Sequence, residues 1–247
     1  MPDLKKLSTL PPDSCDKEET KKKTAEMKAE LTELQNKLYA QGKYAILVIL
    51  QGMDASGKDG LIRNAFSTIN PTGIRVYSWK KPTEEEFNHD FLWRIHKATP
   101  ELGMMHIFNR SHYEDILVPS IYNTFPKNII EKRYSLINHF EELLEEANTK
   151  VLKFYLHVSE EEQRKRLAER ETDPTKFWKH NPNDKQTLEN RDAFISCYEE
   201  IFDKCEKHAP WHIVPADKNW YKEYVVVKTL LDLMKDLPLE YPPLAES

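Results

Sequence analysis

The sequence predicts a three-layer α/β/α sandwich on a parallel sheet, and three observations carry that prediction. Short apolar runs alternate with helix-period segments along the whole chain, the pattern of strands returned to one sheet by crossover helices. The first run, 44–50 (YAILVIL), is continuously apolar, as a strand covered on both faces must be. The 247 residues, 39% hydrophobic and 31% charged, suffice for one α/β domain with a charged surface.

The elements follow in order. Residues 1–13 are polar and bear proline, so 1–15 reads as a flexible arm ahead of a single domain over 16–247. Over 16–41, Met27, Leu31, Leu34 and Leu38 recur at spacings of three and four, which predicts a helix. The strand 44–50 runs into a glycine-bearing turn over 52–60 and a helix from 58 to about 69, and 74–79 reads as a second strand. Thr83-Glu84-Glu85-Glu86 is a capping box, opening a helix that is expected to run to Lys97 with Phe87, Phe91 and Ile95 on its core side. A strand over 104–109, an amphipathic helix over 127–148, a strand over 151–158 and a charged helix over 159–171 come next. Residues 172–184 carry Pro174, Asn181, Pro182 and Asn183 and read as an irregular loop. A helix over 184–208, a strand over 211–214 and a helix over 220–236 complete the chain.

Composition excludes several functions. Lys and Arg total 36 against 41 Asp and Glu, a net charge of −5, whereas general DNA or RNA binders are basic. A polyanion would have to be held by a local basic patch. No apolar run is long enough to span a bilayer, and the start MPDLKK lacks the core of a secretory signal, so a cytoplasmic protein is expected. Cys15, Cys197 and Cys205 form no CxxC pair and read as reduced thiols.

The chemistry concentrates in Gly52-Met53-Asp54-Ala55-Ser56-Gly57-Lys58-Asp59, which fits GxxxxGK between a buried strand and a helix. Backbone amides across Gly52, Ala55, Ser56 and Gly57 would face phosphate oxygens, with Lys58 reaching the terminal phosphates. Asp59 stands where such loops carry Ser or Thr. With Asp54 it either offers acidic oxygens to magnesium or acts as a first-turn helix acid.

Phe108-Asn109-Arg110-Ser111-His112-Tyr113-Glu114-Asp115 closes the third strand at the edge where ligands sit in open α/β sheets. Arg110 reads as a phosphate clamp. Asn109 occupies the usual place of a magnesium-organising Asp, with Glu114 and Asp115 the nearest acids. Lys80-Lys81-Pro82, after the second strand, reads as an anion contact. The segment 164–191 carries eight cations (Arg164, Lys165, Arg166, Arg170, Lys176, Lys179, Lys185, Arg191) against five acids (Glu169, Glu171, Asp173, Asp184, Glu189). It is the local patch that the composition demands, placed where a mobile lid would overhang the loop.

Four segments in order, GMDASGKDG, WKKPTEEEFNHDFLWR, FNRSHYED and APWHIVPADKNWYK, closely resemble motifs of the polyphosphate kinase type 2 family. The FNRSHYED form resembles the subgroup acting on both nucleoside mono- and diphosphates. The resemblance implies a P-loop kinase fold with a helical lid and reversible transfer of the terminal phosphoryl group of inorganic polyphosphate to AMP or ADP, giving ADP or ATP. It extends to guanine nucleotides, to Mg2+ or Mn2+, and to a homo-oligomer, dimeric or tetrameric. It also implies roles: Asp54, Lys58 and Asp59 in the phosphate loop, Lys81, Arg110 and Asp115 along a phosphate channel, and Arg166 and Arg170 at the lid. Other members carry Asp at the place of Asn109, so the metal role falls to Asp54 and Asp115. Two rival readings are an ATP-dependent P-loop kinase of a small metabolite or nucleoside, and a nucleotide-binding switch without turnover.

Overall fold

The protein is described from a computed structural model covering residues 2–181 and 184–244. Pro182 and Asn183 lie outside the described residues, as do the side chains of Asp184 and Lys185. Strands β1 (Ala45–Gln51), β2 (Ile74–Ser78), β3 (Met105–Asn109), β4 (Thr149–His157) and β5 (Trp211–Pro215) form one sheet in the order β2-β3-β1-β4-β5. Every pairing is parallel.

The helices are α1 (Lys17–Gln41), α2 (Lys58–Ala65), α3 (Glu84–Phe87), α4 (Trp93–His96), α5 (Glu114–Tyr122), α6 (Lys127–Glu146), α7 (Glu160–Thr172), α8 (Asp184–Glu189), α9 (Arg191–Lys204) and α10 (Asn219–Lys235). The all-apolar β1 is explained by its two faces. Ile46, Val48 and Leu50 pack with residues of α1, α2 and α10, and Leu47 and Ile49 with residues of α5, α6 and α9. Both faces are covered, so alternation disappears from the sequence. The predicted three layers are thus present.

Local signals set the ends. Asp16 caps α1 by accepting from the Glu19 amide, and Gly42 closes it at φ 62° with its amide on the Leu38 carbonyl. The Thr83–Glu86 capping box forms in both directions. The helix it opens does not reach Lys97: α3 stops at Phe87, and the Asp90 carboxylate takes the Leu92 amide at 2.9 Å before α4 begins. An Asp side chain competing for local amides ends a helix this way. Ile95 is buried as expected, but Phe87 is exposed.

One element is added to those expected and two further expectations are corrected. Between β3 and α6 the chain forms α5, which contains Pro119 and has no strong helical period. The helix expected over 184–208 divides at Asn190 into α8 and α9. The arm expected to be flexible is tied down at its described residues. Leu4 is buried in the core and donates its amide to Glu199 Oε1 at 2.7 Å, and Thr9 donates its hydroxyl to Asp217 at 2.8 Å. Among the described residues no helix is long and apolar enough to cross a membrane.

Candidate active site

From β1 the chain passes to one side of the sheet to form β2 and β3, and later to the other side to form β4 and β5. The loop after β1 therefore sits where the connections diverge, the usual place for a ligand in such sheets. It opens α2, so the unpaired amides of the helix start face the same space.

Glycine is required at two loop positions. Gly52 has φ 149°, and a Cβ there would lie 2.9 Å from the Leu156 carbonyl oxygen of β4. Gly57 has φ 93°, and the Lys222 ammonium occupies the space a Cβ would need. Ala55 (φ 61°) and Arg110 (φ 65°) adopt the left-handed conformation without being glycine. Such strain persists only where surroundings impose it, and it collects at functional sites.

The carbonyl side of the loop is fully engaged. Lys58 Nζ donates to the carbonyls of Gly52 (2.6 Å) and Met53 (3.2 Å), and Gln163 from α7 donates to that of Asp54 (3.1 Å). Arg166 donates to Ala55 and Ser56 at 3.1 and 3.0 Å, and Lys222 from α10 to Ser56 and Gly57 at 3.1 and 3.4 Å.

Charges gather beside the loop. Arg110 Nη2 donates to Asp54 Oδ1 at 2.6 Å, and Thr187 donates its hydroxyl to Asp54 Oδ2 at 3.2 Å. Burial alone would raise the Asp54 pKa, but Arg110, Lys58 and Arg170 outweigh it and hold the carboxyl below its ordinary range. Lys58 is pushed down to about 8, first by burial and then by the Arg110 charge. Asp59 accepts from Asn109 Nδ2 at 2.9 Å and from Lys179 at 3.4 Å. Asn109 thereby ties the end of β3 to the first turn of α2.

The predicted residues separate into groups. Asp54, Lys58 and Arg110 come together, with Asp59 beside them and the Arg170 charge reaching Asp54. Lys81 is exposed beyond β2, and among the described residues no hydrogen bond or ion pair joins it to the loop. Asp115 belongs to a different cluster. Its carboxylate lies 3.6 Å from Arg94, its carbonyl accepts from Arg133, and burial pushes its pKa up to about 6 despite the two arginines. The Asp54 carboxylate is paired with Arg110 and that of Asp115 with Arg94, so the two expected metal ligands stand in different ion pairs. Among the described residues no three His, Cys, Asp or Glu side chains are arranged to hold a metal ion.

Arg166 is also corrected. Its five N–H groups are all engaged by protein: Nε by Glu162, Nη1 by the Ala55 and Ser56 carbonyls, and Nη2 by those of Ala216 and Asp217. It braces the loop from behind instead of offering donors to a phosphate. Arg191 is a similar brace, donating to the Val158 carbonyl at 2.7 Å and to Gln163. Sequence reasoning missed Gln163, Thr187 and Lys222. For Lys222 a signal existed: it precedes Val226 and Leu230 by four and eight positions, on the buried stripe of α10.

The comparisons agree with this geometry. The family described as Polyphosphate kinase 2 (PPK2) matches residues 14–240. An AMP/ADP-polyphosphate phosphotransferase of Meiothermus ruber is 45% identical over 213 residues, covering 86% of this chain and 80% of that protein. An ADP-polyphosphate phosphotransferase of Rhodopseudomonas palustris is 37% identical over 225 residues, covering 86% and 78%. The crystal structure of Polyphosphate Kinase 2 from Arthrobacter aurescens TC1 superposes with a TM-score of 0.95 at 37% identity, covering 99% of this chain and 89% of that one. With a parallel sheet, a glycine-bearing loop between β1 and α2 and relatives of this similarity, the chain belongs to the polyphosphate kinase 2 family.

Proposed function

We propose that this protein transfers the terminal phosphoryl group of inorganic polyphosphate to AMP and ADP, reversibly, giving ADP and ATP. The observation that carries the reading is the loop itself. Its carbonyls are held by Lys58, Gln163, Arg166 and Lys222, its glycines permit close approach, and the Arg110 and Lys58 cations stand with Asp54 beside the start of α2. Family membership and the activities named for the Meiothermus and Rhodopseudomonas relatives support the same reaction.

The chain's own residues act by position and charge. A phosphate oxygen of the acceptor nucleotide is already a nucleophile, so no Ser or His base is required. The barrier to overcome is the repulsion between two polyanions held in line. In this reading Arg110 and Lys58 offset that repulsion, and Lys58 exchanges its contacts with the Gly52 and Met53 carbonyls for phosphate oxygens. Asp54 holds Arg110 in place.

A divalent cation fits beside Asp54, which is ionised and has 23% of its side chain exposed, and beside Asp59, 59% exposed. Magnesium accepts one or two such carboxylates together with phosphate oxygens and water. Asp115 belongs to the Arg94 cluster, and among the described residues no hydrogen bond or ion pair joins its side chain to the loop. When bound, the ion supplies charge neutralisation between the phosphate groups. We assign the metal role to Asp54 with Asp59, and Mg2+ or Mn2+ as the ion. Action on guanine nucleotides, a homo-oligomer and a cytoplasmic location belong to the same reading.

The test is product analysis after incubating the purified protein with Mg2+, polyphosphate and either AMP or ADP. ADP and ATP formed from AMP support the dual acceptor range, and ATP from ADP alone restricts the protein to diphosphates. Consumption of ATP and a small-molecule acceptor without polyphosphate would overturn the reading in favour of an ATP-dependent kinase.

A further inference from the structure

We propose that Lys222 is a positioning residue of the phosphate loop: from behind, its ammonium sets the Ser56 and Gly57 peptides so that the following amides face the anion. The inference rests on the loop being a phosphate site, as proposed above.

Lys222 lies on α10, far from the loop in sequence, and is 1% exposed. Burying an ammonium is costly unless each of its donors is satisfied. Here three donors meet three acceptors: the Ser56 carbonyl at 3.1 Å, the Gly57 carbonyl at 3.4 Å and Asn219 Oδ1 at 3.0 Å. Two of these acceptors are main-chain atoms of the phosphate loop. A residue needed only for packing on α10 would be apolar, like its neighbours Val226 and Leu230.

The consequence follows from peptide geometry. In a planar trans peptide the C=O of one residue and the N–H of the next point in opposite directions. A Ser56 carbonyl drawn toward Lys222 turns the Gly57 amide away from it, and a Gly57 carbonyl shared between Lys222 and the Leu61 amide leaves the Lys58 amide pointing the opposite way. These are amides at the N-terminus of α2, where an anion would bind. Arg166 reinforces the arrangement by taking the Ala55 and Ser56 carbonyls. The Lys222 ammonium lies where a Cβ on residue 57 would be, so this placement of Lys222 depends on glycine at 57.

The local charges fit a group whose role is completed by an incoming anion. Burial, then Arg166 and Lys58, push Lys222 down to about 7, with Glu162 and Asp217 opposing. Phosphate on the far side of the loop would favour the charged ammonium.

The experiment compares the intact protein with Lys222→Met and Lys222→Arg. Calorimetric binding of tripolyphosphate is measured first, because it needs no turnover, followed by kinetics with polyphosphate and ADP varied separately. The role predicts that Lys222→Met, folded by circular dichroism, binds tripolyphosphate about tenfold or more weakly. Its KM rises for the substrate whose phosphates occupy the loop and stays within twofold for the other, and Lys222→Arg falls between it and the wild type. A general structural defect would not separate the two KM values. Tripolyphosphate affinity and both KM values within twofold of wild type in folded Lys222→Met would overturn the proposal. If Lys222→Met does not fold, wild-type affinity in Lys222→Arg with Asn219→Ala would overturn it, and a loss confined to one substrate would support it. A wild type that binds tripolyphosphate yet transfers nothing to ADP would contradict the proposed reaction and leave the Lys222 test readable. A wild type that does not bind it would overturn the phosphate-site reading and the role together.

Discussion

Two neighbouring regions, the loop over 52–57 and the turn after α7 that reaches Asp59 through Lys179, are built in opposite ways. The loop follows a strand buried along its whole length, and each carbonyl from Gly52 to Gly57 has a donor from Lys58, Gln163, Arg166, Lys222 or the Leu61 amide. Between Thr172 and His180 the chain forms one short turn with Trp178 76% exposed and Phe177 51% exposed. Polar contacts hold this turn: Lys176 with Glu169 and Asp173, and Lys179 with Asp59. A site that holds anions by preorganised donors needs the first kind of structure, and a cover that admits and releases them needs the second. The boundary does not coincide with the basic stretch 164–191, because Arg166 and Arg191 belong to the loop's support.

The largest expected effect comes from the loop's own cation. Lys58→Ala should lower kcat on the order of 10³-fold while the protein still folds, with a modest fall in thermal midpoint, since the Gly52 carbonyl loses its Lys58 donor and the rest of the loop keeps its braces. A folded Lys58→Ala protein with wild-type turnover would break the comparison at its base.

Arg166→Ala should act on both stability and turnover. It removes donors to four part-buried carbonyls, of which, among the described residues, only that of Ser56 keeps a second donor in Lys222, and the loss costs about 1–3 kcal/mol, read as a lower thermal midpoint together with reduced kcat. Lost turnover at unchanged stability would instead return Arg166 to the lid.

Asp115 gives a smaller, pH-dependent signal. Its pKa is raised from 3.8 to about 6 by burial, so the folded chain holds a proton that the unfolded chain has released. That contribution to stability is complete below pH 3.8 and is lost as pH rises through about 6. Between these limits the stability of wild type relative to Asp115→Asn should therefore fall with rising pH. A flat difference would show that the carboxyl titrates normally and is open to solvent.

The smallest change in stability should come from the turn after α7. Lys179→Ala breaks one partly exposed ion pair with Asp59, worth at most about 1 kcal/mol. Its thermal midpoint should barely move, while substrate KM shifts a few-fold. A large loss of stability would mean that this segment is as firmly built as the loop.

What the sequence revealed follows the same division. The apolar β1, the glycine-bearing loop and the Thr83–Glu86 box are written in consecutive residues and were legible there. The end of α3 was not, because Asp90 competes with the helix through one side-chain contact that leaves the helical period intact. α5 was hidden by Pro119 and weak amphipathicity. Asp54, Lys58 and Arg110 could be read from motifs, whereas the placing of Arg166 behind the loop and Asp115 beside Arg94 depends on elements that meet only in the fold. A charge count shows how many cations a segment holds, but not which carbonyls have already taken their donors.

The central claim is direct passage of the terminal phosphoryl group from polyphosphate to the nucleotide on this loop. The most direct test uses polyphosphate labelled with ³²P, unlabelled ADP and Mg2+, with wild type and Lys58→Ala run side by side. The account predicts label in the terminal phosphate of ATP, one for each phosphate lost from the chain, and almost none with Lys58→Ala. Label released as inorganic phosphate, or equal transfer by the two proteins, would contradict it.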